Sequence, residues 1–513
     1  MSTENIMFVK IKSATNLGLD TIGIDVEINV ANRGLPVFDI VGLPSKSVSE
    51  SKERIKTAII NSKIDFPTKR ITINLAPADV PKEGSCYDLP MAVGLLSLML
   101  GFNVSEDSLL FGELSLDGKV RHTRGALLLS LFAKEKGYKK IFVPKESANE
   151  AAIVQGVEVY PVEDLRQIVG HFLGKFKIVP VIYKRQPIID KKVDFDMKEI
   201  LGQEQAKRAA EIAAAGGHNF MMVGSPGSGK TMLAKALPGI LPFLQEKEAL
   251  EVTKIYSASG NIPPNGSIIF TSPFRNPHHT ISQVGLVGGG SKPQPGEISL
   301  AHRGVLFLDE FNEFPRSILE LLRQPIEDGK LTISRSQARV EYPARFILVA
   351  SANPCPCGYL LHPKKSCVCS EREIKNYQKR ISGPILDRID LHVEVPVVDA
   401  NDLSCSVGAS PCGCPSSVVR SRVIAAREIQ NKRFSEDNIF VNAEMRNEHI
   451  KKYCFLSQEV ERILKQAVSN FNLSARSYFK VIKIARTIAD LGEAESINVS
   501  HVAEALQYRP KQA

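Results

Sequence analysis

A glycine-rich loop at residues 224–231 has the composition of a phosphate-binding site. Its sequence, GSPGSGKT, fits the pattern G-x-x-x-x-G-K-[ST], follows a predicted strand at residues 220–223 and opens a predicted helix. Glycines let the backbone wrap around phosphates with its N–H groups pointing inward, and the helix N-terminus favours negative charge. In such a loop the lysine contacts the β- and γ-phosphates, and the threonine hydroxyl binds Mg²⁺. The sequence therefore predicts a site for ATP and Mg²⁺ formed by Gly224, Ser225, Pro226, Gly227, Ser228, Gly229, Lys230 and Thr231.

Two further strand ends carry polar residues that suit the same site. Asp309 and Glu310 follow the apolar run at residues 305–308, and Asn353 follows another apolar run at residues 346–350. We expect Asp309 to bind the magnesium ion, Glu310 to polarise the attacking water and the Asn353 amide to orient that water. An acidic pair after a core strand is by itself more often a surface feature. The phosphate loop about 80 residues earlier favours the catalytic interpretation.

Four cysteines follow Asn353 in two C-x-C pairs. Cys355 with Cys357, and Cys367 with Cys369, could bring four thiolates together in one loop, which suits tetrahedral zinc. The usual spacing in such sites is C-x₂₋₄-C, so four reduced cysteines in a polar loop are the alternative. A second set lies in the loop that follows, and a zinc site that mixes the two sets stays open: Cys405, Cys412 and Cys414.

A predicted β-hairpin at residues 329–342 carries positive charge. Its alternating apolar and polar residues fit strand geometry, and its charged positions include Lys330, Arg335 and Arg339. Positive charge on a hairpin suits contact with nucleic-acid phosphates, which does not depend on base identity. We therefore expect these three side chains to contact DNA.

A long insertion at residues 255–295 precedes the carboxylate pair. It contains a run of glycines at residues 288–290 and the adjacent His278 and His279. Glycine-rich backbone suits a loop that follows a nucleic-acid strand. The histidine pair predicts turn capping or packing rather than metal binding, because the sequence offers no evident third ligand.

The elements that must position these residues divide the chain into four segments. Residues 1–174 alternate short strands and helices, residues 175–191 form a linker, residues 192–400 hold the phosphate loop, and residues 401–513 become helical. Strands separated by helices in the third segment predict an α/β fold with a parallel sheet covered on both faces. Helices are predicted at residues 47–61, 89–100, 125–136, 418–432, 457–470, 475–491 and 500–508, and strands at residues 71–75, 140–143, 220–223, 305–308 and 346–349.

The composition is that of a globular protein. The 513 residues are 43% hydrophobic and 24% charged, and the net charge of +9 permits a polyanionic partner without establishing one. The longest apolar stretch, at residues 89–100, is too short to cross a bilayer. Because the first residues contain no signal peptide pattern, we expect no membrane partner and a cytoplasmic protein with reduced cysteines.

Several longer strings resemble those of one known family: FRNPHHTIS, GEISLAHRGVLFLDE, LRQPIEDG, SANPCPCG and ISGPILDRIDLHVEV. They look like strings of the magnesium-chelatase-like AAA+ ATPases, and among these of the ComM/YifB family. The resemblance covers nearly the whole chain and implies a central AAA+ P-loop α/β domain, a C-terminal helical lid and a homo-oligomeric ring, most often a hexamer. It assigns Asn353 to the sensor-1 position, Arg388 to the arginine finger that reaches a neighbouring subunit's ATP, and Arg476 to the sensor-2 position of the lid.

The N-terminal segment resembles the α+β proteolytic domain of Lon proteases. The resemblance rests on NLAPADVPKEGSCYD at residues 74–88 and GELSLDG at residues 112–118. The position of the Lon serine falls at Cys86, and that of the lysine base falls near Leu127, which cannot accept a proton. We therefore expect a scaffold domain without protease activity, in which Cys86 is a packing residue.

The resemblance implies one principal function and one alternative. The principal function is that of a DNA helicase or translocase that promotes branch migration during homologous recombination in natural transformation, with the hairpin and the insertion lining the pore of the ring. The alternative is a magnesium-chelatase-type motor that remodels a protein partner. The Lon-like domain favours the first, because chelatase motor subunits typically lack it. The missing lysine argues against a third function, ATP-dependent proteolysis.

Overall fold

The fold is seen in a computed structural model that describes most of the chain. The described residues are 7–31, 35–42, 46–78, 80, 82, 84–184, 194–263, 266–290, 293–334, 339–398, 414–437, 439–471 and 473–510. Arg335, Cys405 and Cys412, for which the sequence predicts roles, lie outside these ranges. Within them, no helix combines the length and apolarity needed to cross a bilayer.

The first unit is built on a mixed seven-stranded sheet. Its strands, including a small separate pair, are β1 Met7–Leu17, β2 Asp20–Ala31, β3 Phe38–Val41, β4 Arg70–Ala76, β5 Ser108–Leu110, β6 Glu113–Leu114, β7 Val120–Arg121, β8 Lys140–Pro144 and β9 Glu158–Val162. The sheet order is β3-β4-β2-β1-β5-β8-β9. β1 and β2 form a long antiparallel hairpin that ends at the pair Leu17 and Asp20. The strands predicted at residues 71–75 and 140–143 are confirmed as β4 and β8.

The helices of the first unit pack on this sheet. They are α1 Lys46–Ser49, α2 Ser51–Asn61, α3 Asp88–Leu100, α4 Ala126–Glu135, α5 Ala148–Ala151 and α6 Leu165–Phe172. The helix predicted at residues 47–61 is present as two consecutive helices, α1 and α2, divided at Glu50, whose φ and ψ of −69° and −18° remain helical. The buried helix predicted at residues 89–100 is confirmed as α3. Its first residue, Asp88, is fully buried and lies 2.8 Å from Nε of Arg54, which compensates the buried carboxylate.

The second unit contains a five-stranded sheet in which all neighbouring strands are parallel. The strands of this unit, with two small hairpins, are β10 Phe220–Val223, β11 Phe274–Arg275, β12 Gly288–Gly289, β13 Gln294–Pro295, β14 Val305–Leu308, β15 Lys330–Ser334, β16 Arg339–Pro343, β17 Ile347–Ala352 and β18 Leu391–Glu394. The order across the main sheet is β11-β14-β17-β10-β18. β14 and β17 are buried throughout, as expected for strands covered on both faces. The predicted parallel sheet and the predicted hairpin, β15 with β16, are therefore confirmed.

The helices of the second unit cover this sheet. They are α7 Glu204–Gly216, α8 Lys230–Ala236, α9 Glu246–Ser259, α10 Gln283–Val287, α11 Glu297–Leu300, α12 Arg316–Glu320, α13 Arg323–Asp328, α14 Glu371–Gln378 and α15 Gly383–Leu386. α9 continues to Ser259, so the prediction that the insertion starts at residue 255 is wrong by one turn of helix. The helix continues there because Ile255 is fully buried and extends the apolar face of α9.

A helical region follows, as predicted. Its helices are α16 Ser416–Arg433, α17 Asn447–Tyr453, α18 Gln458–Phe471, α19 Ala475–Leu491 and α20 Val499–Gln507. α17 was absent from the sequence prediction, because its seven residues are too few to show a helical period. Val423 of α16, Leu464 of α18 and Ile484 of α19 share one buried apolar core with Phe220 and Val349 of the parallel sheet. The helical region is therefore packed directly on the second unit.

The first unit also docks on the second, through α4, α5 and α9. The carboxylate of Glu150 accepts hydrogen bonds from Ser257 Oγ at 2.6 Å and from the Leu127 amide at 2.9 Å. The Gly125 amide donates to the Ser257 carbonyl at 3.1 Å. Burial raises the pKa of Glu150, and the hydroxyl and amide donors oppose that rise. The two units thus share a buried polar contact, in which Glu150 of the first unit bonds to Ser257 of the second.

Candidate functional site

The phosphate loop connects β10 to α8 and has a backbone that only glycine permits at several positions. Gly227 and Gly229 have φ of 77° and 91°, which lie in the left-handed region. A Cβ on Gly224 would overlap the carbonyl oxygen of Val395, so the first position of the motif excludes a larger residue on steric grounds. The loop is therefore wrapped as the sequence predicts, and α8 begins at Lys230.

The Lys230 side chain points into this loop. Its Nζ lies 2.7 Å from the Gly224 carbonyl, 2.9 Å from the Ser225 carbonyl and 3.3 Å from Oδ1 of Asn353. Burial lowers the pKa of Lys230, while the carboxylates of Asp309 and Glu310 act against that shift. The ammonium group and the Asn353 amide are thus adjacent at the ends of neighbouring strands.

The donor groups of the loop fit a polyanion. The hydroxyls of Ser225 and Ser228 are buried and have no hydrogen-bond partner among the described residues. Buried hydroxyls are normally satisfied, so such groups in a glycine loop suit a ligand that accepts hydrogen bonds. Together with the buried ammonium group of Lys230 and the N-terminus of α8, they form a set of hydrogen-bond donors that includes one positive charge. A nucleotide phosphate chain fits this donor set.

Thr231 and Asp309, the magnesium ligands that the sequence predicts, are in contact with each other. Oγ1 of Thr231 lies 2.9 Å from Oδ2 of Asp309, and Ser351 Oγ donates a hydrogen bond to the other carboxylate oxygen. Parallel pairing of Leu308 with Ala350 brings the ends of β14 and β17 together, which sets the separation of these groups. One hydroxyl and one carboxylate in contact are the oxygen donors that Mg²⁺ takes in such sites.

Glu310 has the unusual backbone conformation of this site. Its φ is 53°, a left-handed value that costs free energy for a residue with a side chain. Its amide donates to Asp309 Oδ1 at 3.0 Å and to Ser351 Oγ at 3.3 Å, and these bonds hold the turn. The carboxylate is 56% exposed and lies 3.5 Å from Nδ1 of His279. Glu310 is thus turned out of the sheet edge towards a place that water can reach.

The two arginines that the family resemblance singles out lie together at the opposite edge of the sheet from Lys230. Asn219, which precedes β10, donates its amide to the Arg388 carbonyl at 3.2 Å, so Arg388 lies at the N-terminal ends of the strands. Nη2 of Arg388 is 2.6 Å from Oε1 of Glu327, and Arg476 bonds to the same carboxylate oxygen. Hydrogen bonds from Arg388, and then from Arg476, lower the pKa of Glu327. Within one chain, neither arginine reaches the phosphate loop.

The four cysteines of the C-x-C pairs converge. Sγ of Cys355 lies 3.4 Å from that of Cys357 and 3.6 Å from that of Cys367, and all four ligand atoms lie within 4.8 Å of one another. Tetrahedral zinc with bonds of about 2.3 Å requires sulfur separations of about 3.8 Å, so the set fits that metal with small adjustments. Amide donors of Tyr359 and Val368 lower the pKa of Cys357 to about 6, whereas burial and the neighbouring thiols raise the pKa of Cys367 to about 12 and also raise that of Cys369. The fit to zinc therefore rests on the positions of the sulfur atoms. Cys369 completes the set.

The cysteine loop also contacts the phosphate loop. A Cβ on Gly358 would lie 2.6 Å from Cδ of Pro226, the third residue of the phosphate loop. The two loops are therefore in direct contact. Cys414, the described member of the second cysteine set, is exposed and lies outside the converging group. Among the described residues, the cluster therefore consists of the first set alone.

The three hairpin residues predicted to contact DNA differ in their surroundings. Lys330 Nζ lies 3.0 Å from Oε2 of Glu341 on the facing strand, which offsets part of its charge. Arg339 begins β16 next to the hairpin tip and is exposed. Arg335 lies outside the described residues. The side chains of Lys330 and Arg339 are both exposed, and Lys330 differs in having an acidic neighbour.

Sequence reasoning missed three residues in contact with the predicted ones. Ser351 is a single polar residue inside a buried strand and follows no spacing rule, although its contact with Asp309 is close. For His279 the sequence predicts turn capping or packing, and its ring centroid does lie 4.0 Å from that of His278, but the sequence gives no sign of its contact with Glu310. Glu327 belongs to LRQPIEDG, yet nothing in a string of letters indicates that it joins two arginines 61 or more residues away.

The N-terminal residues compared with the Lon dyad do not form one. Leu127 is fully buried in α4, and Cys86 packs against the apolar core of the first unit. The prediction that Cys86 is a packing residue agrees with this placement.

Three family models match the chain. "Subunit ChlI of Mg-chelatase" matches residues 26–147, "Magnesium chelatase, subunit ChlI" matches residues 196–403, and "Magnesium chelatase, subunit ChlI C-terminal" matches residues 413–509. The matched ranges follow the order of the first unit, the second unit and the helical region.

Curated proteins of similar sequence cover the chain to different extents. Competence protein ComM of Haemophilus influenzae is 40% identical over 97% of this chain and 96% of its own length. YifB of Escherichia coli is 41% identical over 96% of this chain and 95% of its own length. The magnesium-chelatase 38 kDa subunit of Rhodobacter capsulatus is 30% identical over 31% of this chain and 50% of its own length.

Proposed function

The chain belongs to the ComM/YifB family of magnesium-chelatase-like AAA+ proteins, and we propose that it is an ATP-hydrolysing ring motor that acts on DNA. The observation that carries the ATPase part is the convergence of Lys230, Thr231, Asp309 and Asn353 at one edge of a parallel sheet. The DNA part is supported by the near full-length similarity to a protein named for competence. In this proposal the motor is a cytoplasmic helicase or translocase that promotes branch migration during homologous recombination in natural transformation.

The residues of the nucleotide site divide the work of hydrolysis. ATP with Mg²⁺, when bound, supplies the γ-phosphoryl group and a divalent charge beside it. Lys230 and the loop amides bind the phosphate chain, and Thr231 with Asp309 holds the metal ion. Glu310 accepts a proton from the attacking water, which its exposed carboxylate can reach. Asn353, in contact with the Lys230 ammonium group, orients that water.

The position of the arginines supports a ring. Arg388 and Arg476 are separated from their own phosphate loop by about the length of β10, so we propose that both act on the site of a neighbouring subunit. Guanidinium groups match the oxygens of a phosphoryl group bidentately, which suits stabilisation of transition-state charge. Each subunit then presents one edge to one neighbour and the opposite edge to the other. Such a head-to-tail arrangement closes into a ring, and we propose a hexamer.

We propose the following division of the chain into domains. Residues 1–174 form a Lon-like domain without protease activity, residues 175–191 a linker, residues 192–400 the AAA+ domain and residues 401–513 the lid. The hairpin that carries Arg339, together with Arg335, contacts the DNA backbone in the pore. Lys330 contributes less, because Glu341 is its neighbour.

A chelatase-type motor acting on a protein partner is the second candidate. It is favoured by the family models, whose descriptions all refer to a magnesium-chelatase subunit. The similarity to the chelatase 38 kDa subunit of Rhodobacter capsulatus, however, extends over only 31% of this chain, whereas similarity to ComM extends over 97%. The DNA motor therefore has the better support.

We further propose that Cys355, Cys357, Cys367 and Cys369 bind one zinc ion. The support is the separation of their sulfur atoms and the contact of the same loop with Pro226. A zinc ion there would fix the chain between Asn353 and α14. It would thereby also fix the contact of Gly358 with Pro226 of the phosphate loop. The role is structural, since four thiolates leave no open coordination position.

The chemical role of Glu310 predicts a separation of binding from hydrolysis. Glu310→Gln should bind ATP normally but hydrolyse it about 10²–10⁴-fold more slowly, because an amide cannot accept the proton. Lys230→Ala should lose ATP binding, because it removes the cation beside the phosphates. Binding of a fluorescent ATP analogue and single-turnover hydrolysis measure the two steps. Glu313→Gln, whose carboxylate pairs with Arg380 outside the site, is the matched control and should retain both. Normal hydrolysis by Glu310→Gln would exclude the assigned role.

The DNA proposal predicts stimulation and strand displacement. Forked or single-stranded DNA should raise the rate of ATP hydrolysis several-fold, and the protein should displace a strand from a forked duplex. Arg339→Ala should weaken binding equally for all sequences and reduce the salt slope by about one counterion. Lys375→Ala, which removes an exposed cation from α14, is the control. If no DNA structure binds or stimulates hydrolysis, the chelatase-type function is the better account.

The zinc proposal predicts about one zinc ion per subunit in purified protein, measured by elemental analysis. Cys355→Ser with Cys367→Ser should release it and reduce ATP hydrolysis more than ATP binding. The reason is that binding depends on the phosphate loop, while hydrolysis also requires Asn353 in register. Cys414→Ser should keep the metal, because this exposed thiol lies outside the cluster. Metal-free wild-type protein with full activity contradicts the proposal.

A further inference from the structure

An apolar contact joins the first unit to the basic hairpin of the second. Leu17 and Leu19, on either side of the turn between β1 and β2, pack against Ile333, Val340 and Tyr342 of β15 and β16. These five residues are called the brace cluster below. Ile333, Val340 and Tyr342 are only 6%, 2% and 1% exposed, so this face of the hairpin is covered.

The backbone of the β1–β2 turn is in close contact with the β15–β16 hairpin at Gly18. Gly18 has φ of 66°, in the region that favours glycine, and a Cβ at this position would overlap Cγ1 of Val340. Two independent constraints, backbone conformation and space, therefore require glycine between the two leucines. The contact is not a loose encounter of surface loops.

The hairpin depends on outside contacts for its position. β15 and β16 form a two-stranded sheet of their own, separate from the five-stranded sheet. A hairpin of two strands is marginally stable by itself and needs an apolar face packed on something else. The base of the hairpin is held by Leu331, which packs in the apolar core of the second unit. The glycine-rich insertion adds two contacts: the Tyr342 hydroxyl donates to the Pro293 carbonyl at 2.8 Å, and Val287 packs on the brace cluster. The brace cluster itself covers Ile333 and Val340, nearer the other end of the hairpin.

The turn itself is held rigidly. β1 and β2 pair in register along their whole length up to Leu17 and Asp20, and both belong to the seven-stranded sheet. Beside this turn the first unit is also held on α9. Asn16 of β1 donates to the Gly125 carbonyl at 3.1 Å, the Gly125 amide donates to the Ser257 carbonyl, and Glu150 accepts from Ser257 Oγ. The β1–β2 turn is thus the end of a stiff element that has another contact with the second unit close by.

We propose that the N-terminal domain positions the basic hairpin, and that the brace cluster is the contact through which it does so. The cluster covers the apolar face of the hairpin, so the exposed Arg339 at the start of β16 is held on a fixed base. This inference rests on the proposed function only in naming DNA as the ligand of the hairpin. It gives the Lon-like domain a role that requires no protease chemistry.

Hydrogen exchange of the full chain, followed by mass spectrometry, tests the contact without DNA. Leu17→Ala with Leu19→Ala should speed amide exchange in β15 and β16 by about tenfold or more, because the packed face loses its cover. Exchange in β8 and β9 should not change. Leu35→Ala with Leu116→Ala is the matched control, since these leucines of the same unit are 82% and 54% exposed. Unchanged exchange in β15 and β16 would overturn the proposal.

A second variant distinguishes loss of the brace contact from general unfolding of the first unit. Gly18→Ala adds a single methyl group that meets Val340, and it should also speed exchange in β15 and β16. If the double leucine variant loosens β8 and β9 as well, the Gly18→Ala result decides: slow exchange in β15 and β16 overturns the proposal, and fast exchange supports it.

Binding to a fluorescent single-stranded oligonucleotide separates this inference from the proposed function. The double leucine variant should lose about fivefold in affinity while its DNA-free ATP hydrolysis stays within about twofold of wild type, because only pre-organisation of the hairpin is lost. If wild-type protein does not bind DNA, the proposed function fails, and the exchange measurement still decides the role of the brace cluster.

Discussion

The parallel pairing of β10, β14 and β17 is the constraint on which the nucleotide site depends. Leu308 pairs with Ala350 and Val223 with Ala352, so the strands end side by side. Every polar residue placed just after those ends is then brought together: the phosphate loop after β10, Asp309 after β14 and Asn353 after β17. Buried apolar strands supply the rigidity, because a shift of one residue in register would turn each side chain to the other face.

The same sheet separates the site from the arginines that are proposed to complete a neighbour's site. Arg388 lies where β18 begins and Lys230 where β10 ends, so one subunit cannot bring them together. Glu327, which joins Arg388 and Arg476, lies in the last turn of the helix that leads through one glycine into β15. The edge proposed to face a neighbour and the hairpin proposed to face DNA are therefore linked by one continuous segment, and the N-terminal domain contacts that segment at the brace cluster.

Much of this could be predicted from the sequence, because the relevant signals are local. The strands, the hairpin and four of the five lid helices have clear periodicity, and the phosphate loop follows from glycine conformations and a fixed spacing. The pairing of Glu327 with two arginines, the contact of His279 with Glu310 and the packing of Leu17 on Val340 could not be predicted. They join residues that are far apart in the chain, and each residue alone has an ordinary type for a helix surface, a turn or a strand end.

The central claim is that each ATP site is completed by the neighbouring subunit, and mixing two inactive variants tests it most directly. Arg388→Ala keeps its phosphate loop and lacks the finger, while Lys230→Ala keeps the finger and lacks the loop cation. In equimolar mixed rings, up to about a quarter of the interfaces would combine an intact loop with an intact finger. The account predicts that ATP hydrolysis, absent from either variant alone, reappears on mixing and re-forming the rings. Rings shown to contain both variants but without any recovered hydrolysis would contradict it.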